Sequence, residues 1–464
     1  MQLSVTMSDS HRQAGFISFV VLQLFVLLYV YPFNALAVEE VMPLAQPDSV
    51  ISTPLNTLTF VSCSKEYNNV SDIWQAIRSH PSDAFVWMGD AIYPKASDPS
   101  VIKRSYEVMQ QSEAYQEVQK KFSFLDGTWD DHDYGLNDGG RFFKHKAASQ
   151  QLFLDFLNIS KTSPRRKREG VYSSHLFGAS LSPHQRAKVI LLDTRYHRDE
   201  PYFTNLSYYS GSRIFIVINS LFRFLTTFLS IGTHHNGDVL GNEQWLWLQA
   251  QLSNSDAAAH IIVSSIQVLT GLSISENWNH FPESKKRLIR LLKKTKPRGL
   301  ILLSGDVHFA EILGEEEGLL EITSSGLTHS IVEDFYFYPL FKLLLPFFGK
   351  QRRRLNDYYF GRNFGILDLH YNKEGMILKG SVYSNDNEEV NSFTQTFSSN
   401  EDTDVRFSQL DKPHFSRLIL SPFQIVLRFC FILLVAGWIL QIVLIIVFKF
   451  IRLCTHNAKD RKIL

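Results

Sequence analysis

Apolar, β-branched runs alternate with polar, helix-prone stretches along this chain, and four of the runs end in side chains that bind metals. LTFVSCS ends at Cys63, and AFVWMGDAIY delivers Asp90 and Tyr93. KFSFLDGTWDDH delivers Asp130, Asp131 and His132, and GLILLSGDVH delivers Asp306 and His308. Short apolar runs closed by turn residues predict buried strands. Four ligand-bearing strand ends therefore predict one site at the carboxyl edge of a sheet. Between them, residues 98–121 read as helix-prone and 142–157 as an amphipathic helix. Two stretches break the alternation. Residues 213–231, interrupted by Arg213 and Arg223, and 331–349, broken by Pro339 and Pro346, are almost membrane-like. Each reads as a buried helix of the domain or as an interfacial helix on a bilayer.

The ends of the chain divide it further. His11 and Arg12 precede an apolar run, and Ala35-Leu36-Ala37 offers a cleavage site, so residues 1–37 read as a signal peptide or a signal anchor. Residues 38–57 form a lead-in, 58–399 a catalytic domain and 400–424 a polar stalk. Residues 425–448 carry one charge, Arg428, over the length of a bilayer, and the tail 449–464 is rich in Lys and Arg. By the positive-inside rule that tail is cytosolic and the domain lumenal or extracellular, a single-pass type I arrangement. Sequons at Asn69, Asn158 and Asn205 fit that side.

Charge changes the picture little. With 47 basic and 46 acidic residues the chain has no footprint for nucleic acid. The Arg165–Arg168 run, RRKR, reads as an exposed surface loop, with a nuclear signal or a proprotein-type cleavage site as alternatives. Cysteine is more telling. Cys430 and Cys454 belong to the membrane segment and its tail, so Cys63 has no lumenal partner. An unpaired thiol there is an oxidation hazard unless it is coordinated.

TWDDHDYGLND, residues 128–138, packs Asp130, Asp131, His132, Asp133, Asn137 and Asp138 together. Hard oxygen donors around a histidine suit a divalent or trivalent ion beside a phosphate. Asp90 is the natural bridge between two ions. A Cys63 thiolate with a Tyr93 phenolate favours a ferric-type ion, while Asp131 and Asn137 offer oxygens to a harder one. Asp306 and His308, two apart on extended chain, would point the same way. His132 is placed to protonate a leaving-group oxygen. Arg195 either meets a phosphate oxygen or pairs with Asp193 or Asp199. Trp278 and His280 form a substrate wall or pack a loop, and His234 and His235 lie in an exposed polar loop.

At this point the residues resemble the alkaline phosphatase D, or PhoD-like, metallophosphatases. The matching pieces are VSCS, WMGDAIY, TWDDHDYGLND, LLDTRYHRD, LGNEQWLWLQAQL, SSIQVL, ENWNHFP, LSGDVHFAEI and EITSSGLTHS, in the family's order, across roughly two-thirds of the chain. The resemblance implies an α/β fold, an αββα sandwich of two mixed β-sheets flanked by helices, followed here by the C-terminal transmembrane helix. It implies hydrolysis of phosphate mono- or diesters at a two-metal site holding Fe3+ and Ca2+. By carry-over Cys63, Asp90, Tyr93 and His308 look like the iron ligands, and Asp90, Asn137 and Asp306 the calcium ligands, with Asp131 close by. The chain departs from the family after WDDH, which leaves Asn137 and Asp138 as alternatives, and at Val61, where a small residue is usual. Two other functions compete: a silent receptor or scaffold keeping the fold, and a phosphodiesterase taking head groups from the bilayer. The first would have lost part of the ligand set, which this chain retains.

Overall fold

The computed structural model describes residues 46–398, apart from 69, 204–212, 230, 254, 315–318, 335–338, 340–341, 343–357 and 374. Among the described residues there are fourteen strands: β1 Ser49–Ile51, β2 Thr57–Val61, β3 Ala84–Met88, β4 Phe124–Thr128, β5 Ser173–Phe177, β6 Ala187–Leu191 and β7 Ala259–Val263; then β8 Leu300–Ser304, β9 Ala310–Gly314, β10 Leu320–Ser324, β11 Tyr358–Tyr359, β12 Asn363–Asn372, β13 Gly375–Ser384 and β14 Glu389–Ser398. They form two mixed sheets, eight strands in the order β1-β5-β6-β7-β8-β10-β9-β11 and six in the order β14-β13-β12-β2-β3-β4. β2, β3 and β4 run parallel in the smaller sheet, and β6, β7, β8 and β10 in the larger.

Alternation along the strands makes the layers. Ala84, Val86 and Met88 of β3 face inward, against Val189, Leu191, Ile261, Val263, Ile301 and Leu303 of the other sheet, and form the core between them. Phe85 and Trp87 face outward, beneath the helices Ser71–Ser79, Pro99–Gln111, Glu113–Lys121 and Lys146–Phe156. On the far side Ile190, Ile262 and Leu302 pack against helices Asn242–Leu252 and Pro282–Thr295 through Trp245, Leu248, Leu288 and Leu292. Strands buried on both faces favour apolar residues at nearly every position, which is why β3, β6, β7 and β8 read as apolar runs, broken only by Lys188 in β6, His260 in β7 and Ser304 at the end of β8. The two-sheet sandwich expected from the resemblance is present.

Several expectations are corrected. β1, inside the stretch read as a lead-in, pairs in parallel with β5. The amphipathic helix predicted over 142–157 begins only at Lys146. The Arg165–Arg168 run is not an exposed loop: Arg165 is 2% exposed and its Nη1 meets Asp126 Oδ2 at 2.7 Å, beneath β4. Four basic residues in a row look solvated in sequence, but a buried carboxylate partner can take one of them inside. Among the described residues no helix is long and apolar enough to cross a membrane. The signal segment 1–37, the span 425–448, Asn69, Asn205 and most of 331–349 lie outside the described residues, whereas Asn158 is exposed.

Candidate metal centre

The predicted strand ends converge, but from both sheets. Cys63, Asp90 and residues 130–138 follow β2, β3 and β4, while Asp306 and His308 follow β8 of the other sheet. The site therefore bridges the carboxyl edges of two sheets rather than lying on one. Gly305 permits the junction: a Cβ there would stand 2.8 Å from Ser62 Cβ. The picture of Asp306 and His308 on extended chain is also corrected. β8 stops at Ser304, and both residues adopt left-handed backbone, with φ of 75° and 60°. Cys63, Asp90 and Asp138 share that conformation, with φ of 61°, 53° and 52°. Such angles cost of order 1–3 kcal/mol per non-glycine residue, so their gathering at one place marks stored strain at a functional site. Gly89, at φ 110°, lets the chain turn where a side chain would strike Asp130.

One half of the site centres on Asp90. Its Oδ2 accepts from Tyr93 Oη at 2.9 Å and lies 3.9 Å from Cys63 Sγ, while its Oδ1 accepts from the His132 backbone N–H at 3.1 Å. Tyr93 Oη is 3.0 Å from His308 Nε2. Ser325 holds two of these residues in place, lying 3.0 Å from Cys63 Sγ and accepting the His308 backbone N–H at 2.7 Å. The His132 ring lies tilted against Tyr93 with centroids 4.0 Å apart, and the buried His329 stands edge-on to both Tyr93 and His308. Donor atoms of Cys63, Asp90 and His308 lie within 4.8 Å of one another, and so do those of Asp90, Asp131 and His132.

The other half is a carboxylate cluster. Asp130, Asp131 and Asp306 form one group within the same limit, and Asp131, Asp138 and Glu276 another. The Asp138 backbone N–H donates to Asp131 Oδ2 at 2.7 Å. Three guanidiniums surround the second group. Arg195 donates to Asp130 Oδ1 at 2.6 Å and Glu276 Oε2 at 2.8 Å, Arg198 pairs with Glu276, and Arg223 meets Asp138 Oδ1 at 2.9 Å. Burial opposes ionisation of Glu276, but the three arginines hold it well below its usual range.

The remaining carboxylates are undercompensated. Burial, then the charges of Asp131, Asp130, Asp133 and Asp306, push Asp90 well above the carboxylate range. Burial pushes Asp130 up to about 7 against the pull of Arg195, and Asp138 up to about 6 against Arg223. Asp306 is raised by burial and by Asp130 and Asp131. Burial and the Asp90 charge likewise raise the Cys63 thiol and the Tyr93 phenol. Asp130 Oδ2 and Asp131 Oδ1 are buried without hydrogen-bond partners. Clustered anionic donors with orphaned oxygens fit resident cations, which satisfy lone pairs that burial would otherwise strand.

Of the residues singled out in the sequence, the structure brings together Cys63, Asp90, Tyr93, Asp131, His132, Asp306 and His308. Asn137 is half-buried in the turn before Asp138, and Asp138 lies in the group with Asp131 and Glu276. Arg195 is fully buried, and its guanidinium is engaged by Asp130 and Glu276 rather than by Asp193 or Asp199; its backbone N–H alone reaches Asp193. Trp278 is packing, not a wall: it is fully buried, with Nε1 on Ser264 Oγ. His280 Nε2 contacts the Ser275 carbonyl. His234 is exposed, as read, whereas His235 is half-buried on the Glu200 carbonyl. Sequence reasoning passed over Ser325, His329 and Glu276, although they stand inside EITSSGLTHS and ENWNHFP. Arg223 reads in the sequence only as a charge interrupting an apolar stretch, and its place beside Asp138 carries no sequence signal.

A family model of PhoD-like phosphatases matches residues 58–328, more than half of the chain, and the chain belongs to that family. It is a metal-dependent phosphoric ester hydrolase by class. Among solved structures it is similar to that of PhoD, with 16% identity, 81% of this chain and 79% of that one covered, and a TM-score of 0.49. A dimetal phosphatase from Danio rerio is 15% identical over 74% of this chain and all of its own, with a TM-score of 0.43. No curated protein matches the chain.

Proposed function

We propose that the chain is a two-metal phosphatase that hydrolyses phosphate mono- or diesters. The observation that carries this is the double membership of Asp90, whose carboxylate belongs both to the group with Cys63 and His308 and to the group with Asp131 and His132. Asp90 shared between a sulfur-nitrogen set and a group that adds Asp131 and His132, beside the all-carboxylate group of Asp130, Asp131 and Asp306, suits two unlike cations. Cys63, Asp90, Tyr93 and His308 would hold the softer ion, taken as Fe3+. Asp90, Asp131 and Asp306, with Asn137 or Asp138, would hold the harder one, taken as Ca2+. Bound cations supply positive charge for phosphoryl oxygens and lower the pKa of an attacking water.

The chain's own side chains do the rest. His132 is half-buried beside Tyr93, and burial lowers its pKa, so the ring is neutral at neutral pH. A neutral imidazole still donates an N–H to a leaving-group oxygen. Arg195 is a positioning residue that fixes Asp130 and Glu276. Arg223 is the guanidinium that offers its charge to a phosphate oxygen.

Iron and calcium content of the purified protein, with hydrolysis of mono- and diester probes, tests the reading. A visible phenolate-to-iron band, lost in Tyr93→Phe, is expected. An active, iron-free, colourless protein would sink the assignment of Fe3+. For localisation we read the domain as tethered, type I, by residues 425–448, with 213–231 and 331–349 as interfacial segments. Protease added to sealed microsomes should then remove only the tail after residue 448, and digestion of the domain from outside would reverse the orientation.

A further inference from the structure

The helix Arg213–Leu229 is inverted relative to an ordinary surface helix. Asn219, Arg223 and Thr226 fall at i, i+4 and i+7 and turn inward, two of them buried and the third paired with Asp138. Ile218, Leu221, Phe222 and Leu225 occupy the other face, at i, i+3, i+4 and i+7, and Leu221 and Phe222 are 52% and 37% exposed. Phe203, 41% exposed, stacks on Phe222 at 5.4 Å, with Tyr202 edge-on to it. Exposed Ile231 follows the helix. A helix at a water-facing surface buries its apolar stripe and exposes its polar one. Over residues 218–227 this one turns Asn219, Arg223 and Thr226 inward and leaves Leu221 and Phe222 exposed beside Thr227, and an exposed apolar patch marks an interaction surface.

The chain itself points to the occupant. Residues 399–424 lead from the last strand to a bilayer-length apolar stretch followed by a basic tail. Fully extended they reach roughly 90 Å, so a domain anchored there stays beside lipid. Aromatic and aliphatic side chains with a tyrosine at the margin suit the acyl–head-group boundary.

We propose that this face docks on a lipid bilayer, and that the enzyme acts on phosphate esters presented at that surface. Its substrate class rests on the phosphatase reading, and the choice of lipid as the occupant on the reading of residues 425–448 as a tether. The same helix carries Arg223 to Asp138, so the lipid-facing residues and the metal centre are joined by one rigid element. In the reaction water supplies the oxygen entering at phosphorus, the ester P–O bond breaks, and the lipid alcohol leaves with a proton.

The full chain, reconstituted in phosphatidylcholine vesicles with brominated acyl chains, provides the test. Leu221→Trp should show quenching beyond that of the parent's own tryptophans; no added quenching overturns the docking. In Leu221→Ser/Phe222→Ser, kcat/KM on phosphatidate in vesicles should fall by about tenfold or more, as losing two inserted apolar side chains implies. Hydrolysis of p-nitrophenyl phosphate and the melting temperature should stay unchanged. Equal loss on both esters together with a lower melting temperature would make the face core. A change in oligomeric mass without quenching would make it a contact between copies, and either result overturns the proposal. If the metal-loaded parent cleaves neither ester while Leu221→Trp is quenched, the phosphatase reading fails and the docking stands.

Discussion

Arg223 Nη2 lies 2.9 Å from Asp138 Oδ1, with both side chains about nine-tenths buried, and this pair joins the Arg213–Leu229 helix to the metal centre. The guanidinium brings its charge to a buried carboxylate cluster in which Arg195 and Arg198 pair with Asp130 and Glu276. Arg223→Gln should raise KM for a soluble phosphate ester by about tenfold and change kcat by no more than a few-fold, as loss of ground-state phosphate binding does. Steady-state kinetics with metal analysis checks this. A collapse of kcat with loss of metal would instead make Arg223 a support for Asp138.

Asp90 touches every part of the first group, and Asp306 crosses from the other sheet to the second. Asp90→Asn and Asp306→Asn each replace an anionic donor by a neutral one of the same shape. Ester hydrolysis should fall by about 10²-fold or more, with reduced metal content and unchanged circular dichroism. Full metal content with full activity would remove either residue from the site.

His132 gives a different pattern. Its ring packs against Tyr93 and its backbone N–H is already used by Asp90. His132→Ala should lower turnover by ~10²–10⁴-fold while iron and calcium stay near the parent's content. Loss of an ion in this variant would place the imidazole among the ligands.

Stability should depend on pH through a histidine far from the metals. His260, buried on β7 between the Arg298 carbonyl and Ser255 Oγ, is held down to about 4 by burial. Unfolded histidine titrates near ~6.5, so between these values the unfolded chain binds the extra proton and folding weakens as pH falls. The stabilisation is complete above the unfolded value and is lost on the way down to about 4, at about 1.4 kcal/mol per pH unit for this one group. Denaturant melts across that window should show the slope, and His260→Gln should flatten it.

What the sequence determined by itself is local in origin. Apolar runs had to become doubly buried strands, and the Gly-Asp turns after β3 and β8 had to place Asp90 and Asp306 just beyond strand ends. Cys63, Asp90, Tyr93, Asp131, His132, Asp306 and His308 were therefore legible in advance, because each follows a run whose period announces where it stops. The tertiary structure decided everything that depends on pairing between distant segments. It brought β8 of one sheet to the edge of β2 and β3 in the other, which a pattern of period two along one strand cannot reveal. It turned Asp306 and His308 into left-handed backbone, gave Arg195 to Asp130 and Glu276, and buried Arg165 on Asp126. It also chose which face of the Arg213–Leu229 helix looks inward. In sequence that helix is an apolar stretch spoiled by two arginines. In the fold Arg223 has a buried carboxylate partner, and the desolvation that makes an unpaired arginine costly is offset by the charge it meets.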